Sequence, residues 1–167
     1  GLRGIDTLEQ LAEVKRIPVE IATDAAILNA DDALCLQMAD HTDAETICYV
    51  TMNPAHPLVK RHIQAGGQAF VLEQGMNGHM ITIYDKERHT PLVWTHLIPA
   101  TIEGRAMHNV QNAMFAAALA YNMQVHATDA IDISEETIRL CAARGIDTIV
   151  DEYCDEIRFC AEYGGSR

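Results

Sequence analysis

The chain lacks the short motifs that most directly identify a catalytic site or a metal site. No GxxxxGK(S/T) loop occurs among its 167 residues, so no segment could by itself cradle the phosphates of a nucleoside triphosphate. HExxH is absent, no histidine pairs with a nearby cysteine at ligand spacing, and no two of the five cysteines form a CxxC pair. We therefore predict neither a zinc site nor a disulfide framework.

Basic residues and long apolar runs are also scarce. The 24 acidic and 12 basic residues leave a net charge of -12, which disfavours binding to nucleic acid or to an anionic membrane surface. No apolar run approaches the roughly 18 residues of a membrane span, and no basic-then-apolar leader opens the chain, so we expect a reducing cytoplasm. The first four residues contain no Met and resemble the interior of a longer protein.

The first half of the chain alternates between helical and strand patterns. Thr7 and Gln10 form a capping-box pattern that predicts a helix, which Pro18 should end or kink. Further apolar segments predict strands over Ala25–Leu28 and Ile47–Thr51 and helices over Ala33–Met38 and Pro57–Ala65, the last stopped by Gly66-Gly67. This alternation predicts an α/β fold with crossover units on a parallel sheet.

The second half begins with a change to strand periodicity. Apolar segments flank Asn77-Gly78, the preferred dipeptide of a type I′ hairpin, and a third strand is predicted over Pro91–Ile98, so a small antiparallel meander should follow the parallel strands. The stretch from Gly104 to Tyr121 has a polar start and then small side chains, which let a helix lie close to a sheet. Further helix is predicted from Ser134 and near Asp151–Tyr163.

A polar turn follows the first predicted strand, at Asn29, Asp31 and Asp32. Loops at the carboxyl ends of strands in an open α/β sheet are where ligands bind, so Asn29 and Asp31 could reach a nucleotide or a metal-bound water. The alternative is an Asx turn in which the Asp side chains cap the following helix. The residues alone leave both interpretations open.

Three further polar residues lie at the start of the small-residue helix. Asn109 and Asn112 are three residues apart, so their amides share one helix face and could pair with the edge of a purine, with His108 beside them. A helix N-cap with satisfied polar side chains is the alternative. Lys15, on the first predicted helix, is compatible with a site residue or with an ordinary surface lysine.

Long segments resemble a known family. They are Gly4 to Arg16, Leu28 to Asp32, Ile47 to Asn53, and Leu92 to Thr101 running into Glu103 to Ala118, and they resemble the cyanophycin synthetases. The His-Asn-x-x-Asn-Ala signature at His108 to Ala113, together with Asn29 to Asp32, is similar to the broader Mur ligase superfamily. The resemblance implies part of a Mur-ligase central domain over residues 4–123, a mostly parallel sheet with flanking helices plus a small antiparallel meander. Residues 124–167 would form an acidic, helical tail of uncertain relation.

The resemblance also implies an activity and residue roles. Such a ligase uses ATP and Mg²⁺ to activate a carboxylate as an acyl phosphate, which an amine attacks, and it adds aspartate and arginine to a cyanophycin primer. Lys15 matches a lysine that is carbamylated in many Mur-type ligases, where the carbamate lies on the metal side. Asn109 and Asn112 match asparagines that contact adenine, with Arg105 and His108 beside them. The resemblance also implies that Asn29 and Asp31 take part in binding the cofactor.

The chain departs from the family pattern in several places, and these departures leave other functions open. The family's P-loop and its metal-binding Glu and His lie upstream of this chain, and its C-terminal domain lies downstream, so we expect this chain to be inactive alone. Ala33 replaces a usual proline. An exposed sheet edge predicts self-association into a homo-oligomer. A noncatalytic interaction module derived from such a ligase, and a superfamily ligase acting on a peptidoglycan precursor or folate, are the alternative functions.

Overall fold

The structure of the protein is a computed structural model, and it describes residues 5–124. The helices predicted from Ser134 and near Asp151–Tyr163, and the acidic tail as a whole, lie outside these residues. Within the described part, helices and strands alternate as the sequence predicts. The elements are α1 (Leu8–Glu20), β1 (Ala25–Asn29), α2 (Ala33–Gln37), β2 (Thr46–Thr51), α3 (Pro57–Gln64), β3 (Gln68–Gly75), β4 (Gly78–Asp85), β5 (Arg88–Trp94) and α4 (Met107–Asn122).

The five strands form one mixed sheet in the order β1-β2-β3-β4-β5. β2 pairs in parallel with both β1 and β3, in a register that places Cys48 opposite Ile27 on one side and Gln68 on the other. Strands β3 to β5 are antiparallel. The α/β class is confirmed, but a mostly parallel sheet is not, because the meander extends the same sheet and contributes as many strand pairings as the parallel part.

The described residues divide into two compact units. The first unit comprises residues 5–71 and 83–90, and the second comprises residues 72–82 and 91–124. Alternate residues of β1, β2 and β3 build the core of the first unit with Met38 and with Val59 of α3. Its buried members are Leu28, Ala30, Met38, Tyr49, Val59, Ala69 and Val71.

Helix α1 begins as its sequence pattern predicts. The Thr7 hydroxyl accepts the Gln10 amide at 3.2 Å, and the Gln10 side chain accepts the Thr7 amide at 3.2 Å, which completes the capping box. The helix continues past Pro18 to Glu20, so of the two predicted effects, an end or a kink at Pro18, the end is wrong. Proline removes only one amide donor here, and the Ile21 amide still bonds the Ile17 carbonyl at 3.2 Å.

The β3–β4 hairpin forms with a different turn from the one predicted. Its turn residues are Met76 and Asn77, and positive φ (+117°) occurs at Gly78 rather than at Asn77. A type I′ turn needs positive φ at both central residues, whereas a type I turn followed by a glycine bulge places it at the glycine. The Asn77-Gly78 signal therefore located the hairpin correctly but assigned the turn one residue late.

Strand β5 ends four residues before the predicted limit of Ile98. It runs from Arg88 to Trp94, and two 3-10 turns, Thr95–Leu97 and Pro99–Thr101, follow it. The apolar residues Leu97 and Ile98 suggest a continuing strand, but only Ile98 is buried, while Leu97 is 62% exposed. The chain leaves the sheet at this point and forms the segment that leads into α4.

Helix α4 is the apolar element of the second unit. Its small residues Ala113, Ala117, Ala118 and Ala120 are buried, as predicted for a closely packed helix. Its N-cap residue, Ala106, has no side chain that could accept an amide. No helix within residues 5–124 is long and apolar enough to cross a membrane.

Candidate functional site

The first group of predicted site residues lies where β1 and β2 end. Because parallel neighbouring strands finish at the same edge of a sheet, the turn after β1 and the residues after β2 meet there. Asn29 accepts the Asp31 amide through its side-chain oxygen at 3.0 Å, which is an Asx turn. Asp32 accepts the Leu34 and Cys35 amides at 2.8 and 2.9 Å and so caps α2. The Asx turn and helix cap, given above as the alternative to ligand binding, therefore account for the side chains of Asn29 and Asp32.

Asp31 has a different role from its neighbours. One carboxylate oxygen accepts the Thr51 hydroxyl at 2.6 Å, and the other accepts the Met52 amide at 2.7 Å. Thr51 is fully buried and its hydroxyl also accepts the Asn53 amide at 3.0 Å, so Asp31 ties the β1 turn to the end of β2. Asp31 is exposed, and its carboxylate retains free lone pairs after these two bonds. The structure therefore gives Asp31 a bridging contact that sequence reasoning did not predict.

Lys15 lies on the exposed surface of α1. The polar contacts of α1 in this region belong to its neighbour: Arg16 pairs with Glu20 and lies 3.4 Å from the His41 ring nitrogen. Within residues 5–124, Lys15 takes part in no ion pair or side-chain hydrogen bond. Its ammonium is thus accessible.

The second group of predicted site residues lies in the second unit, at the start of α4. A segment that we call the Thr101 loop, residues 95–106, precedes the helix. The buried Thr101 hydroxyl lies 2.6 Å from the Thr95 carbonyl and 2.8 Å from the Ile98 carbonyl, and it accepts the Gly104 amide at 2.9 Å. The Thr101 carbonyl accepts the Ala106 amide at 2.8 Å. One buried threonine thus holds both ends of the loop.

The Thr101 loop turns into α4 through three consecutive residues with positive φ. They are Ile102 (52°), Glu103 (58°) and Gly104 (78°). Gly104 tolerates this conformation, and an added Cβ there would lie 2.7 Å from the Thr95 hydroxyl. A β-branched residue such as Ile102 rarely adopts positive φ, so the loop contains real backbone strain next to the predicted site residues.

The predicted nucleotide residues of α4 are only partly free to meet a ligand. The Asn109 amide nitrogen donates to the Ala100 carbonyl at 2.7 Å, which fixes the side chain and leaves its oxygen available. Asn112 is half-buried and its side chain makes no hydrogen bond within residues 5–124. His108 is exposed, and Arg105 pairs with Glu103 at 3.0 Å on the surface. None of these residues is the N-cap, because Ala106 occupies that position, but Asn109 is partly satisfied by a backbone carbonyl, as the structural alternative expects.

A pair of stacked rings in the second unit was not predicted as a site. Trp94 and His96 have ring centroids 6.1 Å apart and planes inclined by 25°. The Trp94 ring packs against Gly75, where an added Cβ would lie 2.6 Å from it. His96 is exposed. The sequence signal that could have indicated this ring pair is the two glycines that flank the hairpin turn, Gly75 and Gly78, because their missing side chains leave room for the Trp94 and His96 rings.

Burial controls the ionisation of groups near the strand ends of the first unit. Burial, with the Asp32 carboxylate second, raises the pKa of the Cys35 thiol to about 11. Burial also raises the pKa of Cys48 and of Tyr49, with smaller contributions from Asp85 and Asp40. All three groups are therefore neutral at physiological pH. No cluster of three or more His, Cys, Asp or Glu side chains that could hold a metal ion occurs in the described part of the chain.

The curated proteins that the chain resembles are cyanophycin synthetases. No protein-family model matches the chain. The chain is 37% identical over 123 residues to a cyanophycin synthetase of Synechocystis sp., 39% over 133 residues to one of Trichormus variabilis, and 38% over 133 residues to one of Nostoc sp.. These matches cover 72%, 75% and 75% of this chain, which spans only 14% of the length of each relative. The resemblance to cyanophycin synthetases is confirmed, as a partial match.

Proposed function

We propose that this chain is part of an ATP-dependent carboxylate–amine ligase of the cyanophycin synthetase kind. The observation that carries the proposal is the identity of 37 to 39% with curated cyanophycin synthetases over about three quarters of the chain. In the proposed reaction a carboxylate oxygen attacks the γ-phosphorus of ATP and ADP leaves. An amine then attacks the acyl carbon of the acyl phosphate, and inorganic phosphate leaves as the amide forms. The substrates would be aspartate and arginine on a cyanophycin primer.

Within this reaction, the second unit would bind the adenine base. Asn109 and Asn112 lie three residues apart on α4, and an amide can donate to and accept from a purine edge. The bond to Ala100 holds the Asn109 amide in one orientation, so its oxygen would meet the base without an ordering cost. His108 and Arg105 are exposed nearby on the same segment and would contact the outer part of the nucleotide.

The first unit would contribute Lys15 and the strand-end residues. The exposed Lys15 ammonium is accessible for carbamylation, which would replace a cation by an anion that could lie on the metal side of the site. Asn29 and Asp31 would act mainly by fixing the strand-end loops, because their oxygens already accept amide and hydroxyl donors. Carbamylation would be detected as a carbamate carbonyl signal when the chain is incubated with ¹³C-bicarbonate, and Lys15→Gln would abolish it.

The described residues offer no set of protein ligands that could hold magnesium without help from a nucleotide. They contain no cluster of three or more His, Cys, Asp or Glu side chains, and the chain has no P-loop motif for the phosphates that magnesium would bridge. We propose that the chain alone binds nucleotide weakly and catalyses no ligation.

The decisive experiment is titration of the ¹⁵N-labelled chain with AMP and ATP, followed by NMR. We expect dissociation constants in the millimolar range that are similar for the two nucleotides, because contacts to the base would dominate. Loss of one amide contact is worth about 1 kcal/mol, so Asn112→Ala should weaken binding about fivefold. Gln111→Ala, on the same helix turn, is the matched control and should leave the affinity unchanged.

Two results would contradict the proposal. Micromolar ATP binding by the chain would refute the claim that phosphate contacts are missing. A complete lack of AMP binding would favour the alternative of a noncatalytic interaction module derived from such a ligase.

A further inference from the structure

We propose that the stacked rings of Trp94 and His96 form the surface on which the adenine base of the nucleotide lies. This inference rests on the proposed function and adds to it a stacking surface for the base, separate from the amides that would read its edge. A nucleobase often binds to a protein through contact of its π-face with aromatic side chains, and such stacking is available to every base.

The first support is the shape of the ring pair. The two rings are nearly parallel, at 25°, so Trp94 stacks against one face of the His96 ring and leaves the other face of the exposed histidine for a base. His96 is exposed, and Trp94 is half-buried against Gly75. The tryptophan is thus held in place from the hairpin side while the histidine remains open to solvent.

The second support is the rigid connection between the rings and the amides of α4. Thr95, between the two rings, is buried, and its carbonyl lies 2.6 Å from the Thr101 hydroxyl. Ala100, next to Thr101, accepts the Asn109 amide at 2.7 Å. Two hydrogen bonds therefore join the backbone between the rings to the first amide that would read the base.

The third support is the local charge. The described acidic residues of the second unit are only Glu73 and Glu103, and Arg105 pairs with Glu103. The whole chain, by contrast, carries a net charge of -12. A phosphorylated ligand would therefore meet little net charge from the described residues of the second unit.

Binding of AMP to the full chain tests the proposal, with Trp94 fluorescence and the NMR signals of the Asn112 side chain as separate readouts. Trp94 is the chain's single tryptophan, so its emission reports on the ring pair alone. Removing a stacking ring should weaken AMP binding about fivefold to tenfold in His96→Ala, whereas His96→Phe should retain affinity within about twofold. His79→Ala, on β4 of the same unit, is the matched control.

Each outcome decides the question. Weaker binding in His96→Ala with retained binding in His96→Phe supports the stacking surface. Unchanged binding in His96→Ala, while Asn112→Ala still weakens it, overturns the stacking surface and leaves the proposed function intact. A Trp94 response of equal size to ribose 5-phosphate would also overturn it, because that probe has no base. If AMP does not bind at all, the stacking surface and the adenine role of the second unit are both refuted.

Discussion

Replacing Thr101 by valine removes the hydroxyl that organises the Thr101 loop while nearly preserving the shape of the side chain. The Thr95 and Ile98 carbonyls would keep donors, from the Ile98 amide at 3.2 Å and the Thr101 amide at 3.0 Å. The Gly104 amide would lose its only acceptor among the described residues. An unsatisfied buried amide costs about 1–3 kcal/mol, and because Gly104 is half-buried we expect Thr101→Val to lower the free energy of unfolding by about 1–2 kcal/mol.

Urea unfolding followed by Trp94 fluorescence measures this loss, because Trp94 directly precedes the loop. Hydrogen exchange at the Gly104 amide separates the lost bond from a general loss of packing. Thr101→Ser keeps the hydroxyl and should keep that amide protected, and Thr90→Val, at an exposed position of β5, should change stability by less than about 0.5 kcal/mol. If Thr101→Val left both the unfolding free energy and the Gly104 exchange rate unchanged, the assigned hydrogen bonds would be wrong.

Three further predictions concern Asp31, Cys35 and Ile102. Asp31→Asn replaces one carboxylate oxygen by an NH2 group, so the Thr51 hydroxyl and the Met52 amide can no longer both donate to this side chain. The unfolding free energy in urea should fall by about 1 kcal/mol, since Asp31 is exposed, and an unchanged value would contradict the bridge. Because the pKa of Cys35 is raised from 9.0 to about 11, its thiolate is roughly 100-fold scarcer at pH 8 in the folded protein, and alkylation measured by mass spectrometry at this residue should slow accordingly relative to urea-unfolded chain. The raised pKa also means that the stability contributed by the neutral Cys35 thiol is complete below pH 9 and is lost as the pH rises through about 11. Equal alkylation rates in the folded and the urea-unfolded chain would exclude the raised pKa. Ile102→Gly should raise the unfolding free energy by about 0.5–1 kcal/mol by relieving positive φ, and a destabilised variant would show that the isoleucine side chain is needed.

Local sequence signals predicted most elements of the fold. The capping box at Thr7, the small residues of α4 and the positive φ of Gly66 each arise from interactions within one turn or a few residues, and such interactions are visible in a sequence. The errors have a shared cause. Pro18 and the end of β5 were assigned by the usual preference of the residues, whereas the neighbouring bonds at Ile21 and Thr101 decided where those elements stop.

The candidate site was less predictable because its contacts join distant residues. Nothing in the order of the sequence connects Asp31 with Thr51, twenty residues later, since the contact depends on the parallel register of β1 and β2. The same holds for Trp94, whose ring fits against Gly75 only after the hairpin has formed. Asn109 and Asn112 follow from their spacing and from the signature, and they lie near the start of α4 as that spacing predicts, while their contact with adenine stays a prediction.

The Asp31 bridge makes the two strand-end loops of the first unit mechanically dependent on each other. Its two carboxylate oxygens are engaged by consecutive groups of the other loop, the Thr51 hydroxyl and the Met52 amide, so neither loop can shift by an ångström without stretching a bond to the other. A ligand that displaced the turn after β1 would consequently have to move the residues after β2 or break these two hydrogen bonds. The two strand-end loops are thus joined by side-chain bonds in addition to the backbone bonds of the sheet between them.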